Sequence, residues 1–111
     1  MGMLTAVAAG AQPLSPLVVN WEEYFQIDWH ISQRAGQPLL TGHVRSIQKY
    51  GAQWMQLLVD RLDASGGLID QRLVWLPSDV PRRSRVYFEF RVEPAASYRV
   101  AVFNYVLPPL P

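Results

Sequence analysis

In the stretch Phe25-Gln26-Ile27-Asp28-Trp29-His30-Ile31-Ser32 every odd position is apolar and every even position polar. An extended chain points successive side chains to opposite faces, so this rhythm describes a strand with one face on a core and excludes an amphipathic helix. The same alternation returns at Leu39–Arg45, where Leu40, Gly42 and Val44 share a side, and at Trp54–Leu62, where Met55, Leu57 and Val59 do. It returns again at Leu68–Leu76, at Val86–Val92 with Phe88, Phe90 and Val92 inward, and at Tyr98–Tyr105. A weaker apolar run, Leu17–Trp21, supplies a seventh strand, and no segment of useful length carries the helical period.

Between these runs lie the residues that turns demand. Gln33 to Pro38 contains Ala35-Gly36, Asp63-Ala64-Ser65-Gly66-Gly67 offers two positions tolerant of positive φ, and Pro77 to Ser84 contains two prolines. Short strands separated by such loops at spacings of roughly 8 to 12 residues predict an all-β fold, an antiparallel immunoglobulin-like β-sandwich of about seven strands. Pro13 and Pro16 set off residues 1–16 as a flexible arm, 17–107 form the sandwich, and 108–111 are a proline-rich tail.

Composition removes several classes. Half of the 111 residues are apolar, enough for one core, and charged residues make up only 17%, ten basic against nine acidic. That balance argues against a disordered tail and against a nucleic-acid surface. Without cysteine there is no disulfide framework, thiolate metal site or cysteine nucleophile. The small apolar run Met3–Ala9 is similar to the end of a secretory leader but has no basic residue before it, so a flexible arm and a leader remnant both stay open. No stretch approaches the roughly 20 apolar residues that a membrane-spanning helix needs.

Three stretches carry a resemblance to bacterial immunoglobulin-like or fibronectin-type-III-like sandwiches, among them the FxLYD domain. They are Leu40-Thr41-Gly42-His43-Val44-Arg45, then Met55-Gln56-Leu57-Leu58-Val59 leading to Leu62-Asp63-Ala64-Ser65-Gly66, and Leu76-Pro77 through Pro81 to Phe88-Glu89-Phe90-Arg91-Val92. The literal FxLYD string reads Val59-Asp60-Arg61-Leu62-Asp63 here, and Arg83 stands where such domains usually carry glycine. Val92-x-Pro94-x-x-x-Tyr98 looks like a tyrosine corner, in which a phenol near a strand start bonds backbone upstream. The resemblance implies a non-catalytic module of exported or envelope-associated proteins, which would place the chain in the periplasm or cell envelope.

The residues themselves offer two candidate sites. Phe25, Trp29, Phe88, Phe90 and Tyr98 fall on inward positions, whereas Trp54, Trp75, Tyr87 and Phe103 fall on outer faces, where they form a binding surface or lie under the arm or the tail. Such a surface would take a protein partner or, as the runner-up, an oligosaccharide. Coplanar rings would mark the second and an irregular apolar patch the first. An edge strand offers a further route, including to a homodimer. The first hairpin, turning at Ala35-Gly36, would set His30 against His43 or Thr41, with Asp28 on the same face. His30, His43 and Asp28 are thus a candidate surface metal site, and the alternative is two solvated histidines. No Gly-x-Ser-x-Gly elbow, phosphate-cradling glycine loop, EF-hand loop or His-Glu-x-x-His motif is present, and neither catalysis nor a cofactor is expected. The basic run Arg82-Arg83-Ser84-Arg85 reads as a solvated turn that could contact phosphate or an acidic partner.

Overall fold

The computed structural model describes residues 5–8 and 12–108. Among the described residues seven strands form two antiparallel sheets: β1 (Thr5–Ala8), β2 (Phe25–Arg34), β3 (Gln37–Ser46), β4 (Gln53–Leu62), β5 (Leu68–Trp75), β6 (Arg85–Arg91) and β7 (Ser97–Val106). The four-stranded sheet has the order β1-β5-β4-β7 and the three-stranded sheet the order β2-β3-β6. The chain is therefore an all-β sandwich, as the alternation predicts. Six of the strands fall where the sequence places them.

The seventh does not. Leu17–Trp21 forms no strand: it is a bend and turn leading into a single 3-10 turn at Trp21–Glu23. Strand β1 lies instead inside the segment expected to be a flexible arm, paired with β5 from Thr5↔Leu73 to Ala8↔Asp70.

Parity decides the core. Phe25, Leu40, Val44, Met55, Leu57, Val59, Phe88 and Val102 are buried between the sheets, and Trp29, Phe90 and Tyr98 pack against them. The first hairpin turns on Ala35 and Gly36, both in the left-handed region (φ 53° and 76°), as a tight two-residue hairpin requires. Its register pairs Trp29 with Gly42, and Gly42 with Phe88 on the other side. A side chain at Gly42 would run into the Asp28 carbonyl oxygen, so glycine is needed for the close approach of β2 and β3. At one end of the sandwich the Tyr98 hydroxyl donates to the Glu93 carbonyl at 2.6 Å, the corner its spacing suggests.

A second, smaller buried layer lies on the outer face of the four-stranded sheet. Leu58, Asp60, Gln71 and Phe103 are buried yet stand outside the inter-sheet core. The chain before β2 crosses this face as a strap. Gln71 holds it with a paired contact, accepting from the Leu14 N–H at 2.7 Å and donating to the Leu14 carbonyl at 3.0 Å. Gln71 also donates to Asp60 Oδ1 at 3.0 Å, while Arg99 bonds Asp60 Oδ2 at 2.9 Å through Nε and 2.8 Å through a terminal nitrogen. The Leu17 N–H then donates to the Phe103 carbonyl at 2.8 Å, so the strap reaches β7 before the chain enters the other sheet.

Candidate functional site

Near its start, β4 is irregular against β7: the register shifts between Gln53 and Gln56 and again between Gln56 and Leu57. Bulges re-aim side chains, and this one leaves Trp54 at φ 54°. A non-glycine residue in that region is strained by roughly 1 to 2 kcal/mol. The indole it projects is 70% exposed. Trp75, the last residue of β5, is 41% exposed and meets Trp54 edge to face, with ring centroids 6.4 Å apart and planes at 83°. Leu76, Pro77, Ser78 and Asp79 complete a notch of about 370 Å³ around the two rings. Two indoles at right angles, with a proline and a leucine beside them, make an apolar corner with a small polar rim.

The other two aromatics do not join them. Tyr87 lies on the three-stranded sheet, half exposed, and donates to Glu89 Oε1 at 3.0 Å. That bond, followed by partial desolvation, raises the phenol above its usual range. Phe103, expected on an outer face and open to binding, is on the outer face but only 8% exposed, and the strap bonds its carbonyl. Phe103 is therefore closed to binding, with Leu17, the first residue past the arm, bonded to its backbone.

The hairpin register pairs Asp28 with His43 and His30 with Thr41. His43 Nδ1 lies 3.3 Å from Asp28 Oδ1, and His30 Nε2 lies 3.2 Å from the Thr41 hydroxyl. Each histidine is thus engaged with its own cross-strand neighbour. Among the described residues no three histidine or acidic side chains come together as a metal would require, so the metal triad of His30, His43 and Asp28 is not assembled. His43 also touches Tyr87 edge-on, with centroids 5.5 Å apart.

Two groupings escape a reading by sequence alone. The Leu14–Gln71–Asp60–Arg99 network joins residues from four separate stretches, the strap, β4, β5 and β7, and nothing local marks them as partners. Arg45 and Lys49 likewise join Arg83 and Arg85 around one open cleft of about 750 Å³ only because β3 pairs with β6. No protein-family model, curated protein or solved structure matches this chain.

Proposed function

We propose that the chain is a non-catalytic binding module that engages a protein partner through the Trp54–Trp75 notch. The observation that carries this reading is Trp54, an indole held in a strained backbone conformation and left largely in solvent. Strain of that kind persists where the surrounding structure imposes it, and it clusters at working sites. Exposed tryptophan is also the residue type most often found at the energetic centre of an interface. The 83° between the rings favours a protein over an oligosaccharide, because a sugar-stacking platform would set its rings coplanar.

Three features support the resemblance to immunoglobulin-like and fibronectin-type-III-like sandwiches. Tyr98 bonds the backbone at Glu93, Arg83 adopts the left-handed conformation (φ 54°) at the position where such domains carry glycine, and the two sheets exchange strands by crossover. With that resemblance comes the reading of an exported or envelope-associated module.

The test is selection of peptides from a random display library against the folded domain, followed by titration of the selected peptides into Trp54→Ala and Trp75→Ala variants. Peptides that bind the parent and weaken at least about tenfold on Trp54→Ala support the reading, since interface tryptophans often contribute 2 kcal/mol or more. Selected peptides indifferent to both substitutions overturn it. Quenching of tryptophan fluorescence by soluble oligosaccharides, lost on the same substitutions, would replace it with the carbohydrate reading.

A further inference from the structure

The cleft between the end of β3 and the turn before β6 is built from cations. Arg45, Lys49, Arg83 and Arg85 all line it, and no acidic residue does. Arg45 and Arg85 are direct cross-strand partners, an arrangement of like charges that costs stability. The ion pairs among the described residues engage Arg34, Arg61, Arg72, Arg99 and His43, and none engages a cation of this cleft. Arg45 also borders a neighbouring cleft that includes Glu22 and Asp28, yet neither carboxylate pairs with it.

The backbone here is anchored, while the charges have no carboxylate partner and Lys49 meets only the face of the Tyr50 ring, 5.4 Å from its centroid. The Ser84 N–H closes a four-residue turn onto the Pro81 carbonyl at 3.2 Å, and the Ser46 N–H donates to the Ser84 carbonyl at 2.8 Å, tying the turn to β3. Within that turn Arg83 sits at φ 54°, so a cation occupies a position where glycine would be unstrained. Four cations are therefore concentrated at one spot of a chain whose net charge is only +1. Uncompensated like charge is what an anion relieves when it binds, and the strained turn holds the Arg83 side chain beside the other cations.

We infer that this cleft binds a phosphate group carrying at least two negative charges, held by the guanidinium forks of Arg45, Arg83 and Arg85, with Lys49 as a point charge. Guanidinium is planar and presents paired donors that match phosphate oxygens, whereas lysine contributes charge without a fork. The cleft is wide and open at its surface, which suits a small soluble phosphate or a lipid headgroup and does not form the extended stripe that tracks a polynucleotide. The site lies apart from the Trp54–Trp75 notch and does not depend on it.

The experiment is titration of the whole chain with inorganic pyrophosphate at low ionic strength, followed by amide chemical shifts, beside flotation with vesicles containing phosphatidic acid, whose headgroup is a phosphomonoester. Saturable shifts centred on residues 45–49 and 83–85 are expected, weakening as salt rises. Arg85→Gln and Arg83→Gly should each weaken pyrophosphate roughly tenfold or more, as loss of a charge-assisted hydrogen bond does. Arg91→Gln, an exposed charge further along β6, should leave binding unchanged. Arg85→Gln should also unfold at a higher urea concentration than the parent, because it removes the cross-strand repulsion. Loss of binding in a more stable protein cannot come from misfolding. Pyrophosphate binding without flotation supports a soluble phosphate ligand, and flotation that pyrophosphate displaces supports a headgroup. No saturable shift in either arm, or equal weakening by Arg91→Gln, overturns the inference.

Discussion

Replacing Gln71 by leucine tests whether the strap over the outer face of the four-stranded sheet is part of the cooperative fold. The substitution keeps side-chain volume close, so a cavity adds little, and it removes three hydrogen bonds: two to the Leu14 backbone and one to Asp60. Net contributions near 1 kcal/mol each give a loss of about 2 to 4 kcal/mol, with the unpaired Leu14 groups pushing toward the upper end. Asp60 keeps both contacts from Arg99, so its charge is not left unpartnered. For a domain of this size that loss lowers the melting temperature by about 10 to 20 °C. Urea unfolding followed by tryptophan fluorescence measures the change, and hydrogen exchange at the Leu14 amide reports the strap directly. A loss below about 1 kcal/mol with the Leu14 amide still protected would refute the reasoning.

Further outcomes follow from other contacts. Gly42→Ala should destabilise by about 1 to 3 kcal/mol or more, because the added methyl meets the β2 backbone rather than a flexible side chain; an unchanged urea midpoint would mean that the β2–β3 register is wrong. Tyr98→Phe should cost about 1 kcal/mol through loss of the bond to Glu93, read in the same unfolding assay. The Arg61 guanidinium, bonded to Asp70 at 2.8 and 2.7 Å, holds that carboxyl below its ordinary value of 3.8. A carboxyl with a depressed folded pKa contributes stability above its unfolded pKa and loses it as pH falls toward the folded one. The urea midpoint should therefore drop as the solution is acidified below about pH 4, and Asp70→Asn should flatten that slope, with Asp63 supplying what remains.

Where neighbouring residues decide an outcome, the sequence showed it. Alternation located β2 through β7, and it put Phe25 and Phe88 in the core because side-chain direction in a strand is fixed by parity. His30 meeting Thr41 was one of the two pairings that the turn at Ala35-Gly36 allowed. What the sequence did not show depends on distant partners. Thr5–Ala8 is short, small and apolar, and becomes a strand only because β5 offers an edge. Phe103 has the parity of an exposed ring and is buried because a segment far back in the chain lies against that face. Trp54 was visible as an outer residue, but its bulge and its right-angled contact with Trp75 come from a slipped register that no local pattern marks.

The strap also fixes an order of events during synthesis. Leu14 and Leu17 emerge from a ribosome before Gln71, and Gln71 before Phe103. A chain emerging N-terminus first can close the β2–β3 hairpin as soon as both strands are out, but it cannot seat the strap until β7 has been made and paired with β4. Until then the apolar outer face of β4 stays uncovered, and the residues that will shield it are already free to meet other chains. A segment made before the strands it covers docks only after them, so the interval between its release and its docking is when this domain is most open to association with chaperones or with other copies of itself.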